Sequence, residues 1–116
     1  MKIEEEIEEK TDMKTLVETP EPPYYAVIFT SIRTDGDNGY GDAAKQMLEL
    51  ASKQPGFLGF ETARQEIGIS VSYWASLAAI QAWKDNAEHR TTQKNARIWY
   101  SCFRVRVCRV EKEYGF

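Results

Sequence analysis

The side chains best equipped for chemistry on a small molecule sit in the second half of the chain: Trp74, Trp83, His89, Arg104 and Arg106. His89 is the single histidine and the only side chain whose ordinary pKa lies near neutrality. It suits a general base or a ligand hydrogen-bond donor. Its place, where a helix should make its first turn, equally suits a surface or capping residue. Trp83 closes the series Leu77, Ile80, Trp83 at helical spacing. It reads as a core aromatic or as a pocket wall whose indole N–H seeks a partner. Arg104 and Arg106 alternate with Phe103, Val105 and Val107 along a strand. They pair with acids such as Glu61 or Glu111, or they hold an anionic substrate or an oxyanion.

Other chemistries lack their residues. One histidine and two separated cysteines offer no metal-ligand spacing. Gly36, Gly39 and Gly41 lie in an acidic turn that repels phosphate, so no nucleotide loop is present. No Ser-His-Asp or Cys-His arrangement has support. A net charge of -3 does not suit a nucleic-acid partner. No apolar run approaches the roughly 18 residues of a membrane span, and MKIEEEIEEK is too acidic for a secretory signal.

The elements that must position these groups are legible in order. Residues 1–23 form an acidic N-terminal arm ending in a proline-rich linker, Thr19-Pro20-Glu21-Pro22-Pro23, which can be neither helix nor central strand. Residues 24–116 are long enough for one domain with its own core. YYAVIFTSIR, Tyr24 to Arg33, is a strand. Asp42 caps a helix with Ala44, Met47, Leu48 and Ala51 on one face, and Gln54-Pro55-Gly56 ends it. Phe57 to Gln65 is the second strand, with Phe57, Gly59 and Glu61 on one side and Leu58, Phe60 and Thr62 on the other. A short turn joins it to Ile69–Trp74, where Ser70, Ser72 and Trp74 share a face. Ser76 caps a helix ending near Trp83. Asp85 and Glu88 have capping-box spacing for another helix, running to about Trp99. Cys102 to Val110 is the last strand.

This β-α-β-β-α(α)-β order specifies an α+β, ferredoxin-like split βαβ fold: a four-stranded antiparallel sheet with helices on one face. The other face, carrying Phe57 or its neighbours together with Ile28, Ile32 or their alternates, needs a cover. A second copy placed face to face supplies one by symmetry, so a homodimer is expected. Cys102 and Cys108 on one strand would be roughly 20 Å apart, beyond the reach of a disulfide. Free thiols suit a cytoplasmic protein.

Three stretches carry a family resemblance: VSYWASLAAIQAWKDNAEHR, PGFLGFE before the hairpin, and the closing RVRVCRVEKEYGF. Over about Tyr24 to Phe116 the chain resembles the antibiotic biosynthesis monooxygenase family, in its branch of small bacterial proteins. The resemblance implies a dimeric α/β barrel and a monooxygenase that needs no cofactor and acts on a quinol- or anthrone-like aromatic. The substrate's own carbanion would reduce oxygen, with Trp83 and His89 as catalytic candidates and Trp74 and Arg104 as substrate-binding ones. The family's haem degraders use an Asn in the first strand, a Trp and a His. Trp83 matches the Trp, but YYAVIFTSIR has no Asn and Gln93 stands where the His would be. Two readings stand beside the enzyme: a small-molecule binding module without turnover, and a stress-related structural dimer.

Overall fold

The first strand, β1, is Tyr24–Arg33, a run of aromatic and β-branched residues that favours extended backbone. The computed structural model describes residues 16–88 and 95–116. After β1 come α1 (Tyr40–Ser52), β2 (Phe57–Arg64), β3 (Gly68–Trp74), α2 (Leu77–Glu88), α3 (Ala96–Trp99) and β4 (Tyr100–Val110). The strands form one antiparallel sheet in the order β2-β3-β1-β4, so β3 fills the gap left by the β1-α1-β2 crossover. This is the ferredoxin-like α+β arrangement.

Alternation assigns the two sides of the sheet. Tyr25, Val27, Phe29 and Ser31 of β1 share a side with Trp74, Ser72 and Ser70 of β3 and with Val107, Val105 and Phe103 of β4. The helices lie on this side. Its core centres on Ala51, Phe57 and Trp74, with Val27, Leu48, Phe60, Ala79, Ile80 and Trp83 packed around them. The opposite side carries Tyr24, Ala26, Ile28, Thr30 and Ile32, with Tyr73, Val71 and Ile69, and Cys108, Arg106, Arg104 and Cys102.

Phe57 belongs to the core rather than to the open side. The β2–β3 register shifts between Phe57 and Gly59, so Phe57 faces Trp74 edge-on with ring centroids 5.4 Å apart. One irregular residue puts Phe57, Phe60 and Thr62 together on the helix side, which strict alternation forbids. The turn before β2 needs Gly56: its φ is +86°, and a Cβ there would lie 2.6 Å from the Ala79 Cβ.

The helix boundaries also differ from expectation. Helix α1 opens at Tyr40 behind Gly39, whose φ is 84°, and Asp42 falls in its first turn. The acid serving this turn is Asp37, whose carboxylate accepts the N–H groups of Gly39 and Gly41 at 3.0 and 3.1 Å. Tyr40 is drawn into the helix by its ring contacts with Trp99 and Tyr100. Helix α2 begins as expected, with the Ser76 hydroxyl accepting the Ala79 N–H at 3.0 Å. It then passes through Trp83 to Glu88, because no glycine or proline interrupts it. Asp85 therefore starts no new helix; it accepts a 2.9 Å bond from Gln81 one turn earlier.

The end of the arm lies against the open side. Val17 rests on Gly59, where even a Cβ would meet its Cγ1 at 2.3 Å, and its N–H donates to Glu61 at 3.0 Å. Thr19 and Tyr24 both donate to the Glu113 carboxylate, at 3.1 and 3.0 Å. Among the described residues, no helix is long and apolar enough to cross a membrane.

Candidate functional site

The helix side of the sheet is unusually polar for the middle of a small fold. Thr62, Arg64, Ser70, Ser72 and Ser31 all project there. Each polar group has a partner. Ser72 accepts the Trp74 indole N–H at 2.9 Å, and the Thr62 and Ser70 hydroxyls meet at 2.9 Å. Arg64 lies across Gly68 and donates to the Ser31 hydroxyl at 2.5 Å. Gly68 is required for this, because a Cβ there would come within 2.1 Å of the guanidinium carbon. Ser31 is buried, so Arg64 satisfies a hydroxyl that water does not reach.

An aromatic corner adjoins this row. Phe29, Tyr100 and Phe103 pack with centroids 5.2 to 6.1 Å apart, and Tyr40 closes on Tyr100 at 5.6 Å. Arg33 lies 3.6 Å over the Tyr40 ring and donates to the Trp99 carbonyl at 2.8 Å. Burial, and then its bond with Tyr40, push the Tyr100 phenol well above its ordinary pKa, against the opposing pull of Arg64 and Arg33. Tyr100 therefore keeps its phenolic proton further into alkali than an exposed tyrosine would. Among the described residues, neither Arg64 nor Arg33 meets a carboxylate. Two unneutralised guanidiniums, the Arg64 one exposed, and two phenols can hold an enolate or phenolate oxygen. Phe103, Val105 and Val107 continue this side as apolar surface about half exposed.

The groups singled out in the sequence are dispersed. Trp74 is fully buried and offers a ligand no surface. Trp83 stacks on it at 6.3 Å, part of the same core. Arg104 is on the other side of the sheet, so Trp83 and Arg104 cannot touch one molecule from the same side. His89 lies outside the described residues. The cross-strand partners expected for Arg104 and Arg106 are absent: Glu111 pairs with Arg109 at 3.1 Å, and Glu61 is three strands away. Arg104 and Arg106 instead line an open groove of about 740 Å³ with Thr30, Ile32, Ile67 and Arg97. Among the described residues, no group of three or more His, Cys, Asp or Glu gathers as a metal would require.

Sequence reasoning missed Arg64, Ser31, Tyr100 and Tyr40. One signal was available. Ser70 and Ser72 share a face with Trp74, so a face holding a core tryptophan is also polar, and that calls for partners on the neighbouring strands.

Comparison with other proteins bears on the fold and the family. The protein is 47% identical over 107 residues to the uncharacterised protein YqjZ of Bacillus subtilis (strain 168), covering 90% of this chain and 94% of that one. Its fold is similar to that of SnoaB, a cofactor-independent oxygenase from Streptomyces nogalater. There the TM-score is 0.68 at 8% identity, covering 79% of this chain and 97% of the other. PA3566 from Pseudomonas aeruginosa is similar with a TM-score of 0.63 at 9% identity, covering 83% and 100%. The family model for antibiotic biosynthesis monooxygenases matches residues 23–95, which takes in the crossover, the β2–β3 hairpin and the whole of α2. With more than half of its length accounted for in this way, the chain belongs to the antibiotic biosynthesis monooxygenase family.

Proposed function

We propose that this protein is a cofactor-independent monooxygenase acting on a small, quinol- or anthrone-like aromatic, working as a cytoplasmic homodimer. The observation that carries the reading is the polar row beneath the helices, ending at the Tyr100–Tyr40–Arg64 corner. An activated aromatic CH₂ loses a proton to give a carbanion stabilised as its enolate, and that carbanion reduces oxygen. The balance is CH₂ plus O₂ giving C=O plus H₂O, so the substrate supplies all the electrons. What such a substrate requires of a protein is hydrogen-bond donors for the enolate oxygen, flat apolar walls and little water. Tyr100 and Arg64 serve as the donors, Phe29 and Phe103 as the walls. Trp83 bounds the far end of the row; Trp74 acts through it, as the ring against which it stacks. His89 is the proposed general base, and Arg104 a contact for an anionic substrate group that reaches round the β4 edge, where Tyr100, Phe103 and Arg104 line one groove. The SnoaB likeness supports the same class of chemistry by fold analogy.

The open side supports the homodimer: Ile32 and Ile69 remain 42% and 47% exposed there beside Ile28 and Val71. Apolar sheet surface of this kind calls for a cover.

Oxygen uptake with a panel of quinols and anthrones tests the reading. The expected result is consumption of one O₂ per quinone formed, with no added metal or flavin, and at least a tenfold loss of kcat in Tyr100→Phe. Binding of the same compounds without oxygen uptake would instead make the chain a binding module.

A further inference from the structure

The groove at the β4 edge is basic and has no counter-charge. Arg97, Arg104 and Arg106 line it, and among the described residues none of the three meets a carboxylate. Its lining includes no acid, and Ile32 and Ile67 give it an apolar part that is 42% and 54% exposed. Three guanidiniums along one groove repel one another unless an anion sits among them. The chain itself holds the matching acid. Residues 1–15 carry Glu4, Glu5, Glu6, Glu8, Glu9 and Asp12 against Lys2, Lys10 and Lys14. This short stretch therefore accounts for the whole net charge of -3, and the remaining residues balance. Ile3 and Ile7 are set among its acids.

The described part of the arm ends on the same side of the sheet as Arg104 and Arg106. Val17 rests on Gly59 of β2. Gly59 pairs with Tyr73, Tyr73 with Ala26, and Ala26 with Cys108, so three strand spacings separate Gly59 from β4. Thr30 and Arg104, which line the groove, pair four residues further along the sheet. With about 4.8 Å per spacing and about 3.4 Å per residue, the diagonal is about 20 Å. An extended chain covers that in about six residues. Glu9 lies eight residues before Val17, so Glu4 to Glu9 reach the groove with slack. Being tethered, the segment meets the groove at roughly millimolar effective concentration, which favours it over a free anion of similar charge.

We infer that the acidic segment from Glu4 to Glu9 seats in this groove of its own chain, with its carboxylates on Arg97, Arg104 and Arg106 and Ile7 against Ile32 and Ile67. The groove, about 740 Å³, is a hollow of the size that takes a small ligand or a few residues, so the seated segment fills a recess and leaves the flat part of the sheet to a second copy. Arg104 is also the contact proposed for an anionic substrate group. Segment and substrate then compete, and the arm gates that end of the site. This consequence rests on the oxygenase reading; the seating does not.

The test is NMR relaxation on the full-length chain, reading the backbone order parameters of residues 4–9. In the wild-type chain at low salt they should lie near about 0.8. At about 0.5 M salt, where the screening length is about 4 Å, they should fall below about 0.6. Two charge reversals follow. One replaces Glu5, Glu6, Glu8 and Glu9 by lysine; the other is Arg104→Glu with Arg106→Glu. Each alone should release the segment, and the two combined in one chain should restore its order. Restoration guards against a trivial result, because a misfolded groove is not rescued by a new arm. Arg104 and Arg106 are also exposed, so their reversal spares the core. Order parameters below about 0.6 in the wild-type chain at low salt overturn the inference. So does order that survives either reversal, or that is lost without recovery in the combined variant, because the segment then rests elsewhere. Order that grows over an about tenfold range of protomer concentration belongs to a second copy's arm and overturns seating within one chain. No substrate enters the measurement, so its failure is distinct from a failure of the oxygen-uptake assay.

Discussion

Replacing Ser72 by alanine tests how the polar row is divided between structure and ligand. The Trp74 side chain is fully buried, and its indole N–H donates to the Ser72 hydroxyl at 2.9 Å. Water cannot reach that nitrogen, so Ser72→Ala leaves a buried donor without an acceptor. Such an orphan costs about 1–3 kcal/mol. In a domain of this size each kcal/mol moves the melting temperature by about 4–8 °C, so a drop on the order of 10 °C is expected. In a Trp74→Phe background the donor is gone, and Ser72→Ala should then cost about nothing. The assay is a four-member double-mutant cycle by urea unfolding, followed by far-UV circular dichroism at one protomer concentration. Circular dichroism is preferred to tryptophan fluorescence because the cycle itself removes a tryptophan. A coupling of about 1–2 kcal/mol is expected. Equal costs in the two backgrounds, or a Ser72→Ala effect within about 0.5 kcal/mol of zero, would refute the argument. Ser72 would then be free to serve a ligand.

Gly68→Ala should force the Arg64 guanidinium off Ser31, since the new Cβ would lie 2.1 Å from its carbon. Gly68→Ala and Arg64→Ala should therefore destabilise by similar amounts, about 1–2 kcal/mol, and the double variant by no more than the larger; thermal melts read this directly. Stability should also fall in alkali. Burial raises the folded-state pKa of Tyr24, Tyr73 and Tyr100 above the ordinary value near 10. Below about pH 10 the phenols are protonated whether the chain is folded or not, and this contribution is fully present. Above it the unfolded chain ionises first, so stability declines as pH rises. Tyr73→Phe should flatten that decline in urea midpoints measured between about pH 9 and 11, and an unchanged slope would count against it.

The element order needed nothing beyond the sequence. Alternation in Phe103-Arg104-Val105-Arg106-Val107, the turn glycines and the Ser76 cap are local signals, each readable within a few residues. They suffice for a ferredoxin-like sheet. Helix ends were less legible because competing caps look alike in one dimension. Asp85 and Glu88 have the spacing of a capping box, yet a helix with no breaker runs through them. Asp42 likewise yields to Asp37, because contacts with Trp99 and Tyr100 hold Tyr40 inside the helix.

What only the tertiary structure decided is which side of the sheet each group occupies and whom it meets there. A single register shift between Phe57 and Gly59 moves Phe57 into the core, and no local pattern announces it. Arg64 reaches Ser31 from 33 residues away, across a glycine that matters only once three strands are side by side. Composition and periodicity report how a segment faces a generic interior. They say nothing of long-range pairing, because a partner's identity is set by strand order and register, and those are properties of the assembled sheet.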